Sequence, residues 1–184
     1  MEPKAEERIM RCCGRLITGS GTGGFTFENL SQQPELEGID IYNIIQNEED
    51  IFKLILRNLE KELKILVEGI SSFQDGPAEE IELLFKRLHQ LFKQKPYYLE
   101  LIFDEELRQE YHSVDKIISR IKKTAVGYLT GLIDRGKEQK VFTSKINTTV
   151  LVKKILGSFR AMMNDLQLAG KMVRDLKKYQ SVTD

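Results

Sequence analysis

The sequence has no tryptophan, only two cysteines and four prolines among its 184 residues, and a formal net charge of zero. No stretch approaches the roughly 18 consecutive apolar residues of a transmembrane helix, so no membrane contact is expected. The first 20 residues include Glu2, Glu6 and Glu7 and lack a long apolar core, which is not the pattern of a signal peptide. Cys12 and Cys13 are adjacent, a spacing that rarely pairs. We therefore expect two buried small side chains in a reducing cytoplasm.

Motifs of catalytic sites are also missing. The sequence contains no G-x-S-x-G, no H-E-x-x-H and no phosphate-binding loop with its Lys-Ser/Thr pair. A glycine-rich run at residues 19–24 follows a helical pattern and lacks that lysine, so it favours a flexible turn. His89 and His112 do not have the spacing of metal ligands. The sequence thus predicts no enzyme, no metal site and no cofactor.

The charge is unevenly distributed along the chain. Residues 1–51 contain ten acidic and four basic residues, a net charge of −6, and the remainder carries +6. No lysine or arginine occurs between Leu16 and Phe52. This asymmetry predicts two parts of the chain with different surfaces.

Apolar residues recur at helical spacing along almost the whole chain, which predicts an all-α fold of about nine helices. We expect N-caps at Thr26, Ser113 and Asn147, because short polar side chains satisfy the first N–H groups of a helix. Helix ends are predicted at Gly136 and Gly170. Three short N-terminal helices are expected to lead into a larger bundle.

The N-terminal pattern of helix, short helix, turn and second short helix (residues 36–44) is the outline of a helix-turn-helix. Its motif residues are Ile9-Met10, Cys12-Cys13, Leu16-Ile17, then Phe25-Thr26-Phe27-Glu28-Asn29-Leu30-Ser31, then Ile41-Tyr42, Ile45, Asn47 and Glu49-Asp50-Ile51. This pattern resembles the N-terminal domain of the TetR (tetracycline-repressor) family. The segment 132–136, followed by Val141-Phe142 and a long apolar helix, is similar to the stretch before that family's dimerisation helices.

The resemblance implies a helix-turn-helix domain at residues 1–47 and a helical ligand-binding and dimerisation domain at residues 48–184. In the family, the helix-turn-helix domain binds operator DNA as one half of a dimer. Thr26 matches the residue that caps the second helix and touches phosphate, and Tyr42 matches a recognition-helix tyrosine that contacts the DNA backbone. Asn43 and Gln46 are further candidate hydrogen-bond donors to DNA.

Four positions depart from the family pattern. Glu35 stands where the turn usually has glycine, and Glu37 where the recognition helix has a small hydroxyl cap. Ile45 replaces phenylalanine, and Glu48 replaces a lysine. Because phosphate contacts supply much of the affinity for DNA, these acids predict a degenerate helix-turn-helix that binds DNA weakly or not at all. The alternative is an ordinary repressor whose third helix contacts bases through polar and apolar groups alone.

Aromatic residues and both histidines concentrate in the middle of the chain. The resemblance implies a pocket there for a small apolar or aromatic effector, with a few polar anchors. The alternative is that these aromatics are ordinary core residues and the histidines lie at the surface. The candidate pocket residues are Phe85, His89, Tyr98, Phe103, Tyr111, His112, Tyr128 and Phe159.

The last apolar helices, at about residues 147–180, predict a twofold homodimer. Its candidate interface residues are Ile155, Phe159, Met162, Met163, Leu166, Met172, Val173 and Leu176. The sequence therefore predicts a cytoplasmic, dimeric, TetR-like transcription regulator that binds a small effector and binds DNA weakly. The alternative function is an effector-binding or protein-interaction module on the same fold that no longer binds DNA.

Overall fold

The computed structural model describes residues 3–71 and 76–177, and within these ranges all regular structure is helical. This confirms the predicted all-α fold class. None of the described helices is long and apolar enough to cross a membrane. The helices are α1 (Pro3–Ser20), α2 (Phe27–Ser31), α3 (Glu48–Ser71), α4 (Pro77–Gln94), α5 (Tyr97–Phe103), α6 (Glu105–Glu110), α7 (His112–Glu138), α8 (Thr148–Gly157), α9 (Phe159–Asn164) and α10 (Leu166–Lys177).

Packing divides the chain into two compact units. The first contains the described residues of Met1–Lys61 and Lys95–Arg120, and the second those of Glu62–Gln94 and Ile121–Asp184. Both α3 and α7 contribute a segment to each unit. The functional boundary between residues 47 and 48 stays a prediction.

Helix α1 packs against several other elements of the first unit. Its apolar side chains, which include Ile9, Cys13 and Ile17, are buried, and it packs against α2, α5 and the turn that begins at Pro34. Burying this stripe removes apolar surface from water, which is the main term that stabilises such a unit. Cys12 and Cys13 are both free and buried.

Two of the three predicted N-caps are confirmed. The hydroxyl of Thr26 accepts a hydrogen bond from Asn29 N at 3.1 Å, and the Asn147 carboxamide oxygen accepts one from Thr149 N at 2.8 Å. The cap predicted at Ser113 is wrong, because α7 begins at His112. The Ser113 hydroxyl donates to the Glu49 carboxylate.

The short helix predicted over residues 36–44 is wrong in extent. Two 3₁₀ turns stand there, Pro34–Leu36 and Ile41–Asn43. Gly38 lies between them with φ of 79°, a left-handed conformation that a continuous helix does not contain. Asp40 then caps the second turn by accepting from Asn43 N at 3.3 Å. The element that would read DNA in a helix-turn-helix is therefore a single turn.

The second unit is built on α4, which packs against α9 and α10. The helix predicted from Asn147 to Gly170 is wrong, since α8 ends at Gly157 and α9 ends at Asn164. Asp165 is extended (φ −138°, ψ 104°), and its carboxylate accepts from Gln167 N at 2.9 Å. Asparagine and aspartate compete with the helix for backbone hydrogen bonds, which explains this break.

Gly136 does not end α7, which continues to Glu138. Its role is to let the Phe142 ring approach the helix, because a Cβ at this position would lie 2.0 Å from Phe142 Cδ2. The N–H groups of Val141 and Phe142 both donate to Gly136 O. The glycine thus holds the loop after α7 against the helix.

Gly136→Ala is expected to lower the free energy of unfolding by about 1–3 kcal/mol, because the new methyl group overpacks the Phe142 contact. Gly131→Ala on the same helix is the matched control, since a Cβ there meets no atom within 4 Å. That variant should be more stable than wild type by roughly 0.5–1 kcal/mol, because alanine is the better helix former. Urea unfolding of the full chain measures both. Equal effects of the two substitutions would contradict the proposed contact.

Candidate functional site

The candidate DNA-contacting side chains belong to the head, which we define as residues 5–52. The Tyr42 ring is 68% exposed. It meets the Phe27 ring edge-on, with 5.2 Å between centroids. Thr26 is exposed and precedes Phe27 in the chain. The structure therefore brings the start of α2 and the 41–43 turn together, and Thr26 and Tyr42 with them.

Asn43 and Gln46 are exposed, but each donates a hydrogen bond to an acidic residue nearby in the chain. The Asn43 side-chain amide donates to the Asp40 carboxylate at 2.6 Å, within the same turn. The backbone N–H of Gln46 donates to the Asp50 carboxylate at 3.1 Å. Asn43 must break its bond to Asp40 before its amide can reach a nucleic acid with full donor capacity.

An open depression of about 410 Å³ lies beside Tyr42. Its floor includes the buried side chains of Leu36 and Ile41. Glu37, which is exposed, also lines it. The lining residues are Ser31, Gln32, Gln33, Pro34, Leu36, Glu37, Gly38, Ile39, Ile41 and Tyr42.

Two arginines of α1 bind the head's own chain. Arg8 Nε donates to the carbonyl of Glu35 at 2.8 Å, and Arg8 Nη2 donates to the same oxygen and to the Glu37 carbonyl. The two Arg15 Nη atoms donate to the two carboxylate oxygens of Glu35 at 2.5 and 3.2 Å. Arg15 also donates to Gln33 Oε1 at 2.6 Å. Such a two-pronged arginine–carboxylate pair is a strong and geometrically specific contact.

The Arg15–Glu35 contact shifts the pKa values of both side chains. The hydrogen bond from Arg15 is the main reason why the pKa of Glu35 falls from its ordinary value of 4.5 to about 2. The same bond raises the pKa of the Arg15 guanidinium. Glu35 therefore stays ionised at any physiological pH. Sequence reasoning treated Glu35 as a repulsive surface charge and had no signal for this partner 20 residues away.

Several other acids of the head have structural partners. Glu48 accepts a hydrogen bond from Phe27 N at 3.0 Å, at the start of α2. Asp50 pairs with Lys53 at 2.7 Å, and the bond from Lys53 is the main cause that lowers the Asp50 pKa. The acids that the sequence suggests would repel DNA thus also hold helix starts and neighbouring segments in place.

Four of the eight candidate pocket residues lie in the first unit. Tyr98 is fully buried, and its hydroxyl accepts from Asn58 Nδ2 at 2.7 Å. Tyr111 packs against Phe52, with 5.9 Å between ring centroids. Phe103 is half-buried and His112 is exposed.

The other four lie in the second unit. The Tyr128 hydroxyl donates to the Glu80 carboxylate at 2.6 Å. The pKa of Tyr128 is raised, mainly by burial and also by this hydrogen bond. Arg135 donates to the other Glu80 oxygen at 2.7 Å. The Phe159 ring meets Phe92 edge-on at 5.5 Å. Phe85 is buried.

His89 is the fourth of these residues, and its Nδ1 atom is unusual. Among the described residues, this is a buried side-chain atom with no hydrogen-bond partner. Leaving a buried polar atom unsatisfied costs free energy, so such an atom calls for a partner that the chain itself does not supply. The remainder of the His89 side chain is half-buried on α4.

Six of the eight candidate dimer residues are buried within a single chain. Because their surfaces are already packed in the core of the second unit, they have little area left for a partner subunit. Leu166 is 41% exposed and Phe159 is half-buried, so these two remain accessible. The buried six are Ile155, Met162, Met163, Met172, Val173 and Leu176.

Comparison of the sequence with protein-family models and with curated proteins gives no match. Solved structures, in contrast, share the fold across nearly the whole chain. KstR2, a ketosteroid transcriptional regulator of Mycobacterium tuberculosis, is 12% identical and superposes with a TM-score of 0.79, covering 97% of this chain and 95% of its own. A TetR-family transcriptional regulator from Agrobacterium tumefaciens is also 12% identical, with a TM-score of 0.73 and coverage of 96% and 95%.

AibR, solved in complex with isovaleryl coenzyme A and operator DNA, is 18% identical to this chain. It superposes with a TM-score of 0.74 and covers 94% of this chain and 98% of its own. At these identities the likeness establishes the fold. The chain therefore has the fold of the TetR-family transcription regulators.

Arg15→Ala is expected to raise the pKa of Glu35 from about 2 back toward its ordinary value, because it removes the main hydrogen bond to the carboxylate. Since the folded-state pKa is depressed, Glu35 stabilises the head above its unfolded pKa, and this contribution is lost as the pH falls toward about 2. A ¹³C NMR titration of the Glu35 side chain measures the change.

Arg11→Ala is the matched control, since it removes the same charge from α1 and Arg11 contributes only a small, long-range effect to Glu35. It should change the Glu35 pKa much less than Arg15→Ala. Similar rises in the two variants would mean that general charge, and not the two-pronged contact, sets the Glu35 pKa.

Proposed function

We propose that this protein is a TetR-like transcription regulator. In this proposal it is a homodimer with a helix-turn-helix domain at residues 1–47 that binds DNA with low affinity. An effector-binding and dimerisation domain at residues 48–184 controls the helix-turn-helix domain. The observation that carries the proposal is the shared fold, which extends over 94–97% of this chain. It covers 95–98% of two transcriptional regulators and of AibR, which was solved with operator DNA.

Low DNA affinity is supported by the head itself. Between Leu16 and Phe52 the chain offers no cationic side chain, although Glu37 and Asp40 are exposed there. The 41–43 turn also presents fewer side chains than a full recognition helix would place in a major groove. Acids that face DNA phosphates oppose association, and most non-specific affinity comes from cations.

The acidic head also favours a second candidate function, an effector-binding or protein-interaction module that no longer binds DNA. The two candidates differ in one measurable property. A weak regulator retains salt-dependent binding to DNA at low ionic strength, whereas a module that has lost the activity shows none under any condition.

The effector is proposed to be a small apolar or aromatic molecule bound in the second unit. Support comes from His89, whose Nδ1 has no partner among the described residues, and from Phe85, which lies one helical turn away on α4. Isovaleryl coenzyme A is the first compound to test, because AibR, which shares the fold, was solved with it. Its acyl group is small and apolar, whereas its coenzyme A part is large and charged.

Full-length protein is expected to bind duplex DNA with a Kd weaker than about 1 μM at physiological salt, in the range of non-specific binding. Fluorescence anisotropy with a random-sequence duplex, compared with duplexes selected from genomic fragments, measures this affinity at several salt concentrations. Nanomolar binding to one selected sequence would contradict a weak head and would favour the ordinary repressor.

Leu166→Asp and Leu168→Asp are expected to convert the homodimer to monomer, because each places a charge on an exposed leucine of α10 within the predicted interface. The two leucines are 41% and 42% exposed. Ile65→Asp is the matched control, since Ile65 is an exposed apolar residue of α3 (59%) outside that segment. Size-exclusion chromatography with light scattering gives the mass.

The Ile65→Asp variant should remain dimeric at micromolar concentration. A wild-type protein that is monomeric under these conditions would refute the homodimer. Dissociation of the Ile65 variant alone would move the interface from α10 to α3.

A further inference from the structure

The cations of the head all lie on one helix. Arg8, Arg11 and Arg15 are the basic residues between positions 5 and 52, and all three belong to α1. Any phosphate contact that the head makes through a charged side chain therefore involves α1. Two of these three arginines bind the segment 33–37.

We propose that Arg15, with Arg8 beside it, forms the phosphate-binding site of the head, and that Glu35 occupies this site in the free protein. The inference rests on the proposed DNA-binding function and deepens it. It identifies which cations meet the DNA backbone and names the residue that competes with the backbone for them.

The geometry of Arg15 matches phosphate recognition. Its two Nη atoms reach two oxygens of one anionic group, at 2.5 and 3.2 Å. The two non-bridging oxygens of a DNA phosphate present the same paired acceptors to a guanidinium, which is why arginine binds carboxylates and phosphates in the same way. The Glu35 carboxylate thus acts as an internal substitute for a phosphate.

Arg8 is held differently, by neutral acceptors. Its guanidinium donates to the carbonyl oxygens of Glu35 and Glu37, so it keeps its full positive charge next to the Arg15 site. A bond from a cation to a carbonyl leaves that charge uncompensated, whereas the Arg15–Glu35 pair cancels one charge with another. Glu35 is therefore the residue that lowers the net positive charge of this site.

The contact is also open to exchange. The Arg15 side chain is 52% exposed and that of Glu35 is 49% exposed, so solvent and ligands can reach both. Exposed ion pairs of this kind contribute little to stability, so breaking the pair does not unfold the head. A nearby DNA phosphate can replace the carboxylate, but Glu35 opposes it both by competing for Arg15 and by repelling the phosphate.

The experiment compares the full-length wild type with E35Q, E37Q, R15A and the double variant E35Q/R15A. A fluorescein-labelled random-sequence duplex is the probe, and anisotropy is recorded across a series of salt concentrations. E37Q is the matched control. It removes the same charge two residues along the chain, from a carboxylate that takes no part in the Arg15–Glu35 contact. Thermal melting checks that all variants are folded.

E35Q is expected to bind the duplex about 5–20-fold more tightly than wild type at low salt, because it frees one cation for one additional phosphate contact. The slope of log K against log salt should become steeper by about one. E37Q should tighten binding less than roughly threefold, since only long-range repulsion changes. R15A alone should have little effect, and in the double variant it should cancel the gain of E35Q.

Equal gains in E35Q and E37Q would overturn the proposal, because general charge would then explain both. A gain that survives in E35Q/R15A would also overturn it, since Arg15 would not be the cation released. These two results leave the DNA-binding function itself intact. Absence of binding in every variant at the lowest salt would overturn this proposal and the proposed regulator function together.

Discussion

The contact between α1 and the segment 33–37 determines which cations of the head are available to a ligand. Arg15 binds the Glu35 carboxylate, and Arg8 binds the carbonyls of Glu35 and Glu37. These bonds hold the 3₁₀ turn Pro34–Leu36 against α1, with Leu36 buried. The bonds link two segments that are far apart in sequence, and they use charged groups that a DNA-binding head would present to its ligand.

The net charge of zero includes acidic residues of the head that have structural partners. The head is acidic in sum, but part of its acidity is structural: Glu48 accepts from the start of α2, Glu49 from Ser113, and Asp50 from Gln46 N. These structural roles of the acids also affect the arginines of α1. Because Arg15 pairs with the Glu35 carboxylate, one of the cations that could attract DNA is neutralised within the molecule.

The sequence was sufficient to predict the fold class and many local features. Helical periodicity and capping residues such as Thr26 and Asn147 depend on neighbours in the chain, so they could be recognised without a structure. Glu48, Glu49 and Asp50 lie in the first turn of α3, where the helix dipole favours acidic side chains, so this helix start is also a local feature.

Features that depend on partners distant in sequence could not be predicted. The Ser113 hydroxyl binds Glu49 across 64 residues, and Arg15 binds Glu35 across 20 residues. The short helix predicted over residues 36–44 is too long. The left-handed conformation of Gly38 and the cap from Asp40 permit only one turn after residue 40. Met162 and the other buried interface candidates have an apolar pattern that does not distinguish a subunit's own core from a surface that binds a partner.

In the free protein, the head binds its own α1 arginines Arg8 and Arg15. The most direct test is the rate of solvent exchange of the Arg8 Nε–H proton in the free, full-length protein, measured by ¹H–¹⁵N NMR. Because Arg8 Nε donates to the Glu35 carbonyl at 2.8 Å, we predict exchange at least about tenfold slower than for Arg11. Arg11 is the internal reference, since its guanidinium lies 4.0 Å from the Glu7 carboxylate and its side chain is 72% exposed. Equal exchange rates for Arg8 and Arg11 would contradict the account.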